Sequence, residues 1–543
     1  MSGSLKEVGI IIGEASSSEF YFSSKPEDMP SRWEYLMACS EEEQDGQTKR
    51  VEVVAQIERV MSASQALTKE LDFEIIKKII ESGLADSKVW GKARILGFLT
   101  ESGELQLPKR AVTPGKPVYI APTELLEKFY SYPKEEAIQV GSLITRSEVP
   151  VFLSIKGFRR HLALIAQTGS GKTYLAGILA DELLAKGGTV VMLDPHADYV
   201  FLGRDTAGKR HELSDRITVL RNPSSTGRYS EGEVGKVEPY EICFSDLDIE
   251  EVCLIANIGK HMTNIRDGLE QAIGFLREKK DVFQPEDLLE ELENAGSWKD
   301  KGVDSKRISG AKDAKKYIKG VAKMEVFTAA STRISTMLRP RHLSVVDLSG
   351  LSDEVADYIA FRILSDIYEK VSGGEFDFPV FVFVEEAHKF IPFQGSARSG
   401  RIIKKIAAEG RKFGVFLVII TQRPSKIHPD ALSQCNSQII MRITNPEDQQ
   451  AIARSSERLG ETLLNDLPGL NTGEAVLVGE MTRAPVMVMV KKRRTKEGGS
   501  DIDIVNKMKS AIEKAKEETS ENESERLRGE LKGFLSEPGE GKK

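Results

Sequence analysis

Nine residues, Ala166-Gln-Thr-Gly-Ser-Gly-Lys-Thr-Tyr174, restrict this chain more than any other stretch. An apolar run, His161-Leu-Ala-Leu-Ile165, precedes them, and Leu175, Ile178, Leu179 and Leu183 follow at the spacing of one helical face. A strand that turns through glycines into a helix start makes a phosphate cradle. Turn amides and the helix N-terminus supply donors, Lys172 adds charge, and the Thr173 hydroxyl is suited to hold Mg²⁺. The expected ligand is a nucleoside triphosphate, held by Gln167, Thr168, Gly169, Ser170, Gly171, Lys172, Thr173 and Tyr174. The strict pattern opens with glycine. Here Ala166 takes that place, at a strand-to-turn corner that does not touch phosphate.

At 543 residues the chain has room for two to four domains. From about residue 150 strands alternate with helices, the pattern of a parallel sheet with crossover helices. Before residue 125 the chain instead carries short β-like runs, Val8 to Ile12, Tyr35 to Ala38, Val51 to Ile57, Ala93 to Leu99 and Val118 to Ile120, which suggest a small barrel or sandwich. One helix is expected near Phe73 to Glu81. No catalytic cluster shows in this region, so assembly is its expected role, with nucleic-acid binding open. Leu269, Ile273 and Leu276, and then Leu288, Leu289 and Leu292, mark amphipathic helices inserted between residues 241 and 335. The Lys-, Asp-, Gly- and Ser-rich stretch Ser297 to Lys316 reads as a loop.

Later strands carry the chemistry. Val190 to Leu193 ends in Asp194, a carboxylate where open α/β sheets bind ligands. It is a candidate for the metal or the attacking water, or a turn aspartate before Pro195. Phe381 to Val384 runs into Glu385-Glu386, which fits the acid pair of triphosphate hydrolases: Glu385 on the metal's water shell and Glu386 as catalytic base, unless the two merely begin a helix. Val415 to Thr421 ends in Gln422, the candidate γ-phosphate sensor. The basic helix between them offers Arg411 to the nucleotide site and Arg398, Arg401, Lys404 and Lys405 to polymer phosphates; a solvated face is the alternative. Lys491-Lys-Arg-Arg494 is a strand-end solubiliser or a DNA contact, and a charged segment runs from there to Lys543, with a helix expected over Ile502 to Ala515.

A net charge of -7 argues against a uniformly basic coat and leaves room for a local basic channel. Cys39, Cys243, Cys253 and Cys435 form no CxxC pair, so free thiols in a reducing cytoplasm are expected. No apolar run approaches the roughly 20 residues that span a bilayer, and Lys6, Glu7 and Glu14 interrupt the start, so neither membrane segment nor leader is expected.

LIAQTGSGKTY, LDPHADY, FVEEAHKFIP, AAEGRKFGV, TQRPSKI and LSQCNSQIIMRITNPEDQ, in this order, resemble the HerA family of archaeal DNA-translocating ATPases in the FtsK/HerA branch. The family often has DPHGEY where this chain has DPHADY, which leaves the shape of that turn open. The resemblance implies an α/β fold: a RecA-like P-loop motor in two parts (150–240 and 336–490), an N-terminal β-barrel of the HAS type (1–125), a helical insertion (241–335) and a charged C-terminal segment (491–543). It further implies an ATP- and Mg²⁺-dependent homo-hexamer that threads double-stranded DNA and acts with a NurA-type nuclease in end resection and recombinational repair. Arg160 matches the family's trans-acting arginine and Arg411 another nucleotide-site arginine. A protein-remodelling ring, with Phe390 to Phe393 as its pore loop, and a nuclease-recruiting scaffold are the alternative functions.

Overall fold

The computed structural model describes residues 5–44, 46–456, 458–498 and 504–514. The N-terminal strands are β1 (Glu7–Ala15), β2 (Glu19–Ser24), β3 (Tyr35–Gln44), β4 (Gln47–Ala63), β5 (Lys88–Leu99), β6 (Leu105–Gln106) and β7 (Pro117–Ile120). In the order β2-β1-β7-β3-β4-β5, with β5 pairing back onto β2, they close a six-stranded barrel, and β6 adds to β5. Closure leaves no unpaired edge, which short strands otherwise expose. Phe20, Phe22, Leu36, Val53, Ile57 and Ala93 fill its interior. The alternating outward residues Tyr35, Met37, Val54 and Leu96 pack into the neighbouring α/β body. The helix α1 (Phe73–Glu81) falls where the sequence places it, and none of its residues is buried.

After α2 (Thr123–Phe129) comes a 12-stranded sheet. Its strands are β8 (Ala137–Leu143), β9 (Pro150–Ser154), β10 (Leu162–Ile165), β11 (Thr189–Asp194), β12 (Ile217–Arg221), β13 (Lys236–Pro239), and, beyond the small pair β14 (Ile242–Cys243) and β15 (Phe327–Thr328), β16 (Leu343–Asp347), β17 (Val380–Val384), β18 (Val415–Thr421), β19 (Ser437–Ile440), β20 (Glu474–Val478) and β21 (Val486–Val490). The order is β13-β12-β16-β11-β17-β18-β10-β19-β20-β21-β8-β9. Pairing is parallel from β13 to β19 and antiparallel from β19 to β9. Along β17, Val380, Val382 and Val384 enter one apolar layer and Phe381 and Phe383 the other. Burial on both faces is why the central strands read as unbroken apolar runs.

The helix α3 (Lys172–Ala185) follows β10, and α4 (Glu231–Val234) precedes β13. The insertion is α5 (Ile249–Ile255), α6 (Thr263–Lys279), α7 (Pro285–Glu293) and α8 (Ser305–Val321), and parallel pairing of β14 with β15 brings its two ends together. The expected loop at Ser297 to Lys316 is corrected: most of it is the first two-thirds of α8. Its small residues are packing contacts rather than loop formers, since a Cβ on Gly310 would collide with the Asn264 carbonyl of α6 and one on Gly268 with the backbone of Ala311. Next come α9 (Ile334–Met337), α10 (Asp353–Ser372), α11 (Arg398–Phe413), α12 (Pro429–Ser433), α13 (Pro446–Ser455) and α14 (Glu461–Asp466).

Residues up to Glu497 form one compact unit. A second unit follows, in which residues 504–514 are helical with Ile504, Val505, Met508 and Ile512 exposed; the ends of the expected helix and the rest of the charged segment lie outside the described residues. Among the described residues, no helix is long and apolar enough to cross a membrane.

Candidate active site

Three neighbouring parallel strands end together, and each end carries a group the sequence singles out. The Gly-rich turn leaves β10, Gln422 follows β18, and Glu385-Glu386 follow β17; β18 lies between the other two. Gln422 is thereby set between cradle and acid pair, and Thr168 Oγ1 donates to its Oε1 at 2.5 Å. Ala166 is wholly buried at the corner, its N–H donating to the Thr421 carbonyl, so the missing glycine costs the cradle nothing. Gly169 (φ 76°) and Gly171 (φ 106°) occupy the left-handed region that glycine enters without strain. Thr472 Oγ1 donates to the Gly169 carbonyl at 3.3 Å and the Gly473 N–H to the Ser170 carbonyl at 3.1 Å, which anchors the loop. The first-turn amides of Lys172, Thr173 and Tyr174 have no intrahelical acceptor and are available to phosphate.

Lys172 Nζ lies 2.6 Å from Glu385 Oε1 and 2.7 Å from Glu386 Oε1. Burial alone would lower the ammonium pKa, but the two carboxylates outweigh it and raise it. The second oxygen of Glu385 accepts the Tyr199 hydroxyl at 2.6 Å. Glu386 sits at φ 49°, ψ 44°, a left-handed conformation rare for a residue with a Cβ and concentrated at functional sites. Its Oε2 is 3.2 Å from His388 Nδ1, without the alignment of a hydrogen bond. Burial pushes the Glu386 carboxyl up, yet His388 and Lys172 prevail and hold it at about 2.

Asp194 makes the bonds of a turn aspartate, one of the two readings its sequence position allows. Its Oδ1 accepts the N–H groups of His196 at 3.3 Å and Asp198 at 3.0 Å, and its Oδ2 that of Tyr199 at 2.8 Å. With both oxygens bonded to backbone it braces a turn, and the turn delivers Tyr199 to Glu385. Asp198, which the sequence did not mark, lies in the field of the pair: burial, then Glu385, raises its pKa. Ala197 stands at φ 59° in this turn, which explains a glycine preference there. Ala197→Gly is expected to stabilise the fold by about 1 kcal/mol by relieving the left-handed alanine; urea unfolding checks this, and a destabilised variant would refute it.

Neither Arg160 nor Arg411 joins this cluster within one chain. Arg160 precedes β10 and Arg411 lies just before β18, so both sit at the amino edge of the sheet. Four residues of strand, roughly 13 Å, separate that edge from the cradle. Of the basic residues on α11, Arg398 is tied to the Leu254 and Ile255 carbonyls at 3.2 and 2.8 Å, while Arg401, Lys404 and Lys405 are exposed.

Three residues of the cluster Lys491 to Arg494 are engaged within the chain, while Lys492 is exposed. Arg493 is 5% exposed; its N–H donates to the Tyr174 hydroxyl at 2.6 Å and its guanidinium to the carbonyls of Thr173 and Lys496 at 3.4 and 3.0 Å. Arg494 pairs with Asp181 at 2.9 Å and Lys491 with Glu182. This strap covers α3 where a Cβ on Gly177 would meet the Arg493 guanidinium, and α3 is buried nearly all round instead of on one face. The acids Asp181-Glu182 on α3 were the overlooked sign of it.

Among the described residues, no group of three or more His, Cys, Asp or Glu side chains could hold a metal unaided. The half-buried Thr173 hydroxyl and the Glu385 carboxylate fit Mg²⁺, which typically takes one or two protein ligands, waters and phosphate oxygens.

The family model described as "Helicase HerA, central domain" matches residues 138–367. A DNA double-strand break repair helicase HerA from Pyrococcus furiosus is 29% identical over 92% of this chain and 97% of its own length. A probable DNA double-strand break repair helicase HerA from Methanocaldococcus jannaschii is 31% identical over 83% of this chain and 94% of its own. The solved plasmid coupling protein TrwB, in complex with an ATP analogue, is 13% identical, with a TM-score of 0.48 over 68% of this chain and 92% of that one.

Proposed function

Since the chain belongs to the HerA helicase family, we propose that it hydrolyses ATP to move along double-stranded DNA in the repair of DNA breaks. The observation that carries this reading is the convergence of Lys172, Gln422, Glu385 and Glu386 on one edge of the sheet, with Lys172 in contact with both acids and Gln422 bonded to Thr168 of the cradle. Lys172 and the loop amides hold the β- and γ-phosphates. Thr173 and Glu385 would hold Mg²⁺, which would neutralise phosphate charge. Gln422 orients the attacking water, and Glu386 takes its proton. Phosphate competes with the carboxylates for Lys172. As the ammonium shifts toward phosphate, Glu386 loses the Lys172 contact that helps depress its pKa and becomes a stronger base. Basicity is thereby coupled to occupancy of the cradle.

The charge of the transferring phosphoryl group then needs a cation from elsewhere, because Arg160 and Arg411 are beyond reach in the same chain. This supports a ring, taken here as a homo-hexamer, in which one subunit's amino edge faces the next subunit's cradle. The barrel, assigned to residues 1–125, serves assembly and docking of a NurA-type nuclease, and the exposed Arg401, Lys404 and Lys405 are the DNA contacts this reading favours. A protein-remodelling ring is less well supported: Phe390 and Ile391 are each 2% exposed, which leaves Phe393 as the exposed aromatic of that loop.

ATPase rate should rise with duplex DNA, and the stimulation should fall as salt rises, because phosphate contacts release counterions. Displacement of a triplex-forming strand from a linear duplex should accompany it. Hydrolysis indifferent to DNA at every salt concentration would overturn the translocase reading, and stimulation without triplex displacement would favour a nuclease-recruiting scaffold.

A further inference from the structure

The two acids that follow β17 are neighbours in sequence but differ in surroundings. Both oxygens of the buried Glu385 have a donor: Oε1 lies 2.6 Å from Lys172 Nζ, and Oε2 accepts the Tyr199 hydroxyl at 2.6 Å. Glu386 shares Lys172 through Oε1 at 2.7 Å, but its Oε2 has no hydrogen-bond partner. The phenol that makes this difference is held at both ends. Its ring is wholly buried in the apolar layer that also contains Leu164, Leu175 and Val200. Its backbone N–H donates to Asp194 Oδ2 at 2.8 Å, and its carbonyl accepts the Leu202 N–H at 3.1 Å. A packed tyrosine turns about only two side-chain bonds, so the hydroxyl is a fixed point. Phenylalanine would fill the same layer, and packing alone therefore does not call for the hydroxyl.

Once phosphate in the cradle draws Lys172 away, the acids part company. Glu385 keeps a donor, and with it one orientation; Glu386 keeps an oxygen with no donor aligned on it. We infer that Tyr199 is the positioning residue that divides the pair, its hydroxyl fixing the Glu385 carboxylate for Mg²⁺ and leaving Glu386 an oxygen free to take a proton from water. The ion demands near-ideal octahedral geometry, so a carboxylate held by a rigid donor serves it better than one free to turn. The turn after β11 thus acts on the metal site at one remove: Asp194 fixes the backbone, the backbone fixes the ring, and the ring fixes Glu385. This rests on the catalytic reading above and adds to it a residue that the reading did not require.

The test uses the full chain with Tyr199→Phe, which deletes the hydroxyl and keeps the ring. Binding of a fluorescent ADP analogue without metal should be unchanged, because the loop amides and Lys172 hold the phosphates; this also shows that the variant is folded. Mn²⁺ is then titrated into the ADP complex and free Mn²⁺ is read by electron paramagnetic resonance. The dissociation constant should rise about tenfold. The Mg²⁺ concentration for half-maximal ATP turnover should rise by the same factor, while turnover at saturating Mg²⁺ stays near that of the parent. In a Glu385→Gln background, Tyr199→Phe should add nothing to the loss of Mn²⁺ affinity, since the hydroxyl acts only through that side chain. Parent-like Mn²⁺ affinity of Tyr199→Phe would overturn the inference, and so would losses that simply add in the double variant. Loss of metal-free ADP binding would mean that the hydroxyl supports the cradle as a whole and would overturn it as well. Parent-like Mn²⁺ affinity of Glu385→Gln would instead strike the assignment of Glu385 to the metal, and this inference with it.

Discussion

Glu386→Gln is expected to lower ATP turnover by about 10²- to 10⁴-fold while leaving nucleotide binding in place. The substitution keeps the size of the side chain and its contact with Lys172, whose ammonium stays beside Glu385. What it removes is the ability to accept a proton from water. The left-handed backbone at this position burdens glutamine as much as glutamate, so the fold is not selectively weakened. Glu385→Gln should differ in kind: its carboxylate faces Lys172 and Tyr199, and its loss should appear mainly as a higher Mg²⁺ concentration for half-maximal rate. Single-turnover hydrolysis alongside binding of a fluorescent ATP analogue distinguishes the two. A Glu386→Gln chain that turns over like the parent would remove Glu386 from the role of base.

Lys172→Ala is expected to abolish nucleotide binding and also to weaken the protein, by about 3 kcal/mol or more at neutral pH. The ammonium is the cation shared by two carboxylates that are 2% and 5% exposed, and without it they are left buried beside each other. The pH dependence has a definite sign. In the parent, Glu386 titrates at about 2 when folded, below a free glutamate near 4.3, so its contribution is present above that value and is lost as pH falls toward 2. In the variant the depressing cation is gone, and protonating one carboxyl relieves the repulsion. The gap in melting temperature between parent and variant should therefore narrow as pH drops from 8 toward 4. A gap that stays constant would mean that Lys172 does not neutralise the pair.

What the sequence disclosed follows the range of the forces involved. The cradle, the acid pair and Gln422 are local signals, each a strand end with a short polar run, and parallel strand order brings such ends to one edge automatically. Helix α1 and the barrel strands were legible from period and turn residues, although β2 escaped because Phe20 and Phe22 are only two inward positions in a short strand. Long-range partnerships were not legible. The three backbone donors that engage Asp194 are not visible in its local sequence, and Arg493 looks like a surface charge until Tyr174 and Gly177 are placed beneath it. Glycine misled in the other direction: at Gly310 it marks a close helix crossing, where local composition suggested a loop.

The strap over α3 also bears on the order in which the molecule is completed. Arg493 meets Tyr174 across 319 residues of chain. At a synthesis rate of about 5 to 20 residues per second, roughly 15 to 60 s pass between the two. During that interval the cradle helix exists without its cover, and the acids and Gln422 arrive only part-way through. A nascent chain on the ribosome therefore carries its cradle helix uncovered until nearly the last residues of the folded body are made.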